Sequence, residues 1–467
     1  MTTLVLAATL ALGQAPEANP VHAVTDIAHD FSFYFDGRFG GQYIEPAGGR
    51  NVMNWGTLHE YDLSNANLLI LQSAGTPCPY PAEDVDAVRE FLAQGGGVLV
   101  LGDYATFRDE TAYHLNDLVQ AFGAQFAMEP AIGPLTASAA LTDGEVETYG
   151  GKTIVLGAPT DWEVLVTDAA GRAVLARRSV GTGALIVGSR ALAGHNPDAS
   201  DDINASWWQP LLIAAASAKP VDPSTPPQGA YPEHLVEREG LRLQFSDYME
   251  PYADIIFEIY AECRPVLEDI MGVPPAEGML ASLILLPTGG GGFSSGQTIG
   301  LGVWWGGFPD ERYGMIELIG HEGAHSWVLP FPEPTWNEPI ATYVGAHLAI
   351  RLGLVEQGRA TIERCIEGGL EHDPDMDQAD LANPEGLPNA VVWGKTFWLW
   401  EQLRAEEPEI VAKYFQAKRR LADPDVIDAY TMHDAAVVLS EAMGRDLFPW
   451  LNDHGVRVSR DEAAIRP

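Results

Sequence analysis

Cysteine is nearly absent: Cys78, Cys263 and Cys365 are the three in 467 residues. An odd set cannot close wholly within one chain, and none has metal-ligand spacing, so neither a disulfide scaffold nor a cysteine metal site is predicted. One disulfide or three buried thiols are the two expectations left. Positive charge is scarce as well. Lysine and arginine number 27 against 65 acidic residues, a formal net charge of -38. A phosphate backbone is repelled by such a surface, which excludes nucleic acid as an expected partner. Long apolar runs are lacking too. None approaches the roughly 20 residues that cross a bilayer, so no integral membrane segment is expected.

What is present begins with residues 4–12, an apolar stretch followed by Gly13-Gln14-Ala15. That order matches the apolar region and small-residue cleavage site of a secretory signal, without a basic region before it and with Pro16 after it. A signal segment over residues 1–18 and a secreted or periplasmic location are predicted. A second boundary falls at residues 218–233, where Pro220, Pro223, Pro226 and Pro227 crowd a run of turn formers. Such a run makes neither helix nor central strand and reads as a linker. It divides the chain into domains at 19–217 and 234–467.

The first domain has an α/β pattern. An apolar run over residues 67–72 is followed by a helix-period segment over 81–93, then Gly95-Gly96-Gly97, then a second apolar run over 98–102. Strand, helix and strand at this spacing predict a βαβ unit in a parallel sheet. Residues 153–157 and 184–189 predict further strands. Residues 62–105 resemble the class I glutamine amidotransferase-like, flavodoxin-like domains. Working amidotransferases carry a cysteine in a glycine-flanked elbow, whereas Cys78 stands between Pro77 and Pro79. The resemblance therefore implies the fold without the activity, and a structural or binding role.

The second domain reads as largely helical. Ser246 is the expected cap of a long amphipathic helix reaching Gly272. Residues 279–286 and 298–304 predict strands. Gly289 to Gly292 are read as a loop, and with no Lys-Ser or Lys-Thr after them they cannot form a phosphate-binding loop.

The chemistry concentrates at His321-Glu322-Gly323-Ala324-His325, late in a stretch of helical periodicity. Positions i and i+4 share a helix face, so both imidazoles can reach one ion, and neutral imidazole is a natural zinc ligand. Glu322 projects beside them without being a ligand and suits a general base. Gly320 and Gly323 each cost such a helix about 1 kcal/mol against alanine, which predicts a close approach by a strand or substrate. A third ligand is expected, and Glu338 stands twelve residues past His325, at the start of the next helix, with Pro339 suited to a first turn. Glu333 is the rival, but lies among prolines. Thr342, four residues after Glu338, is placed to orient a ligand. Tyr343, Tyr430 and His433 are candidates to stabilise an oxyanion.

Residues 337–343 resemble the corresponding segment of gluzincin aminopeptidases, with a shorter spacing from the second histidine. That spacing, with residues 442–455, is similar to the enhancin-like and mucin-degrading gluzincins. The resemblance covers residues 235–460, with its strongest motifs at 321–343. It implies an α+β zincin-like, largely helical catalytic domain holding one Zn2+ through His321, His325 and Glu338. Glu322 would be the base, and Tyr343 and His433 candidate catalytic groups. It further implies an edge strand that pairs with substrate, for which residues 298–303 are the candidate. The expected function is hydrolysis of peptide bonds in a protein, peptide or glycoprotein substrate. An aminopeptidase, or a glycan- or protein-binding protein with a degenerate domain, stays open. His347 is expected to be a packed residue. Asp373 to Asp380 looks like a calcium loop but lacks the glycine and closing glutamate that calcium requires. Trp304, Trp305, Trp393, Trp398 and Trp400 are read as core or as cleft walls.

Overall fold

The computed structural model describes residues 19–32, 39–73, 75–102, 113–142, 146, 151–193, 204–328 and 331–466. The signal segment expected over 1–18 lies outside them. The chain divides into two compact units, one holding residues 33–54 and 58–230 with the N-terminal 27, the other 231–467 with two upstream segments, 28–32 and 55–57.

The first unit contains a ten-stranded sheet. In chain order its elements are β1 (His22–Asp26), β2 (Arg50–Asn54), β3 (Leu68–Ser73), α1 (Ala82–Ala93), β4 (Gly97–Gly102), α2 (Leu115–Gln120), β5 (Ala124–Pro130), β6 (Thr136–Ala137), β7 (Lys152–Leu156), β8 (Glu163–Thr167), β9 (Ala173–Val180), β10 (Gly183–Ser189) and α3 (Ala205–Ala216). The order is β2-β1-β3-β4-β10-β9-β7-β5, with β8 on β9 and β6 on β8. Pairings from β2 to β10 are parallel, and β9 onward is antiparallel. The β3-α1-β4 passage is the βαβ unit that the apolar runs predict.

Both faces of this sheet are covered. Leu69, Leu71, Val98 and Val100 pack with Val88, Phe91 and Leu92 of α1, while Leu68, Ile70, Leu99 and Leu101 pack with Trp207, Trp208 and Leu211 of α3. Side chains alternate across a strand, so a strand buried on both faces reads as an unbroken apolar run. Cys78 lies in an irregular stretch beyond β3, not in a strand-to-helix elbow. None of the three cysteines is in a disulfide, so the disulfide expectation is not met.

The second unit has a five-stranded sheet: β11 (His234–Arg238), β12 (Leu241–Phe245), β13 (Ser282–Leu286), β14 (Gly292–Ser294) and β15 (Thr298–Gly302), in the order β11-β12-β13-β15-β14. Its helices are α4 (Glu250–Met271), α5 (Arg312–Val328), α6 (Asn337–Arg351), α7 (Val355–Leu370), α8 (Asn389–Glu406), α9 (Ile410–Leu421), α10 (Met432–Met443) and α11 (Phe448–Asp453). Two sequence expectations shift here. Ser246 makes no side-chain cap, because a short 3-10 turn, Asp247–Met249, separates it from α4. The glycine tetrad does not end as loop: Gly292 opens β14, which pairs antiparallel with β15 and takes the sheet edge. Residues 298–303 are therefore an inner strand and cannot be the edge that receives an extended chain.

No described helix is long and apolar enough to cross a membrane.

Candidate metal centre

Helices α5 and α6 meet at two glycines. A Cβ on Gly320 would stand 2.6 Å from Gly345 Cα, and one on Gly345 would stand 2.4 Å from the Glu317 carbonyl oxygen. The predicted close approach at Gly320 is thus made by a helix, not by a strand or substrate. At Gly323 it is made by Leu267 of α4, 2.7 Å from an added Cβ. The near contact of the two backbones brings the late turns of α5 beside the first turn of α6.

At that junction three side chains converge. His325 Nε2 lies 3.2 Å from His321 Nε2, and Glu338 places one oxygen 3.3 Å from His321 Nε2 and the other 3.4 Å from His325 Nε2. Among the described residues they form one of two groups of at least three side chains able to hold a metal ion. The second, Glu233, His234 and Asp247, is bound up in its own contacts. Glu233 holds Thr57 and the Asp247 amide, and His234 pairs with Asp247.

Each imidazole is held from behind. His321 Nδ1 lies 2.8 Å from Thr342 Oγ1, and His325 Nδ1 lies 3.3 Å from the Asn337 carboxamide. A proton on Nδ1 donated to Thr342 leaves the His321 Nε2 lone pair facing the centre. The hydrogen bonds from His321 and then His325 hold the Glu338 carboxyl far below the usual carboxylate range. Burial works against a charge on His321, but Glu338, Glu322 and Glu317 outweigh it and raise its affinity for a proton. A field that favours a proton there favours any small cation.

Glu322 is 4% exposed. Desolvation pushes its carboxyl up to about 7, although the two histidines pull the other way. It lines a cleft of about 400 Å³ with Gly292 to Gly296, His321, His325, Pro332, Asn337 and Glu338. The edge strand packs directly on it: a Cβ on Gly292 would lie 3.0 Å from Glu322 Cγ and Oε1, and 2.4 Å from the Gly300 carbonyl oxygen.

The other predicted candidates do not reach this cleft. Tyr343 is fully buried and its hydroxyl donates to Glu401 Oε1 at 2.6 Å, in a group with His347 and Arg404. His433 accepts the Ser459 amide at 3.1 Å and faces Glu462 at 3.1 Å. Tyr430 bonds Tyr414. Glu333, the rival ligand, pairs instead with Lys418. The calcium-like loop is filled by protein. The Asp373 carboxylate accepts the amides of Asp377, Gln378 and Ala379, and the buried Lys395 ammonium stands 3.6 Å away. Trp304 and Trp400 are core residues. Three participants had little sequence signal: β14, the amide of Asn337, and the buried Glu317 that receives Trp305 Nε1 at 3.2 Å. Of these, Asn337 could have been found from its place beside Glu338.

No family model and no curated protein matches the sequence. Solved structures similar over part of the chain include the mmIFT52 N-terminal domain, at 13% identity over 42% of this chain and 97% of that one, with a TM-score of 0.34. Yeast LTA4 hydrolase in complex with bestatin is similar at 16% identity over 39% of this chain and 33% of that one, with a TM-score of 0.31. An exo-β-1,4-mannosidase from an Opitutaceae bacterium is similar at 16% identity over 44% and 37%, with a TM-score of 0.27. Likeness at these scores establishes no shared fold.

Proposed function

We propose that this protein is a zinc-dependent peptidase that cleaves internal peptide bonds, with His321, His325 and Glu338 as ligands and Glu322 as general base. One observation carries the reading. The two Nε2 atoms stand 3.2 Å apart, and each lies 3.3 or 3.4 Å from a different oxygen of Glu338. Tetrahedral zinc with bonds of about 2.0–2.1 Å sets neighbouring ligand atoms roughly 3.3–3.4 Å apart. Two imidazoles and a carboxylate turned toward one point are a donor set that takes a divalent cation.

When bound, zinc makes a water acidic near neutral pH and polarises the scissile carbonyl. The chain's own groups do the rest. Glu338 offers the one negative charge of the ligand set, and Thr342 and Asn337 hold the imidazoles in orientation. The buried Glu322 carboxylate beside the ligands can take the proton of the attacking water and return it to the departing amine. Backbone on the free side of β14 can pair with an extended substrate, which Gly292 lets lie close to Glu322.

Cleavage within a chain, not at its N-terminus, is favoured by the charges of the cleft. Its carboxylates, among the described residues, are Glu322 and Glu338, both engaged. No further one is there to fix a substrate ammonium. The test is metal content and casein cleavage of the parent beside Glu322→Gln, with N-acetylated and free peptides as substrates. One zinc per chain in both proteins, cleavage by the parent alone, and no preference for the free terminus are the expected results. A parent that takes up no zinc from excess would overturn the metal reading.

A further inference from the structure

Glu338 stands in the first turn of α6, directly behind a segment that has no regular structure of its own. Residues 331–336 lead into α6, and two of them are proline. Something outside the turn must set its path, and a buried ion pair is anchored in it. Glu333 is 3% exposed. Its carboxylate accepts from Lys418 Nζ at 2.6 Å, from the Tyr414 hydroxyl at 2.6 Å and from Trp336 Nε1 at 2.9 Å. Lys418, on α9, gives a second hydrogen bond to the Phe331 carbonyl at 2.9 Å and lies 4.4 Å from the centre of the Tyr430 ring. The Glu333 amide then donates to Asn337 Oδ1 at 3.1 Å, and Asn337 is the residue against His325.

Stability does not account for this pair. Desolvating two charges offsets most of their attraction, and apolar side chains of similar volume commonly hold a fold as well or better. Hydrogen-bonded charge supplies direction, which apolar packing does not. Lys418 grips the turn at two points two residues apart, a side chain and a carbonyl, and so fixes both its position and its rotation.

We propose that Lys418 and Glu333 are positioning residues for the histidine–carboxylate centre, holding the 331–336 turn so that Asn337 and Glu338 meet His325 and His321 in register. This rests on the reading of that centre as a zinc site, so the test has an arm that needs no metal. The variant is Lys418→Met with Glu333→Leu, which replaces the pair by apolar groups of similar size. Three quantities are measured: the melting temperature, amide exchange of residues 338–342 against β13 and α4 in metal-free protein, and zinc affinity by chelator competition. The expected result is at most a small fall in melting temperature, from the Trp336 and Tyr414 donors that lose their acceptor, with exchange faster by about tenfold or more at 338–342 alone and zinc bound more weakly by about tenfold or more. Glu333→Gln, which keeps volume and fold, should show the same local pattern to a smaller degree. Unchanged exchange in a folded variant, or exchange that rises uniformly with a falling melting temperature in both variants, would overturn the proposal and leave the pair a packing element. If the parent binds no zinc while the local exchange effect appears, the positioning role stands and the metal reading falls.

Discussion

Burial of Glu322 has a measurable cost. Its carboxyl is pushed up to about 7 in the folded chain, so the folded state binds this proton more tightly than the unfolded one. Stability from that proton is fully present below the ordinary carboxylate range and drains away as pH rises toward 7. In metal-free protein Glu322→Gln should therefore melt above the parent at pH 8 and together with it near pH 4.5. At about 1.4 kcal/mol for each tenfold change in proton affinity, the difference at pH 8 is on the order of 2–3 kcal/mol. Thermal melts in a chelator at the two pH values check this, and equal melting points at pH 8 would contradict the assigned desolvation. The histidine pair and Glu322 were legible in sequence because the helical repeat alone puts positions 321 and 325 on one face. The same rule, applied further, separates Thr342 from Tyr343. Four residues past Glu338 a side chain returns to the ligand face, whereas five residues past it points about 140° away. Thr342 accordingly touches His321, and Tyr343 turns to Glu401.

Between elements, the crossing of α5 and α6 is the sensitive dimension. Gly345→Ala would put a methyl group 2.4 Å from the Glu317 carbonyl oxygen, where a helix backbone has no room to yield. Overpacking of this kind costs about 1–3 kcal/mol. Urea denaturation should show that loss, and because Glu338 is carried on the displaced helix, zinc affinity should fall with it; full stability in the variant would mean that the helices can part freely. The central strands could be read from apolar runs because strands buried on both faces have no polar alternation to obscure them. β14 could not. Three residues, one of them glycine, carry no period, and their place at the sheet edge arises from antiparallel pairing with β15. The missing Ser246 cap has a similar origin: a 3-10 turn intervenes, which local propensity does not distinguish from a first helical turn.

Charge acts over the whole molecule. With a net charge of -38, the protein attracts cationic chains and repels anionic ones, an effect screened over about 10 Å at 0.1 M salt. On the proposed peptidase reading, kcat/KM for a lysine-rich peptide should fall as salt is raised and that for a glutamate-rich peptide should rise; parallel responses would show that association is not steered by charge. The Pro-rich stretch at 218–233 was the visible division of the chain. It gave no sign that residues 28–32 and 55–57 group with the second unit. Short segments of that kind carry no pattern of their own. Their grouping bears on heredity and synthesis alike. The unit that carries the candidate metal centre is not one continuous stretch of chain, so a genetic exchange at the linker would not transfer it whole, and a growing chain holds its first pieces long before it has made the rest.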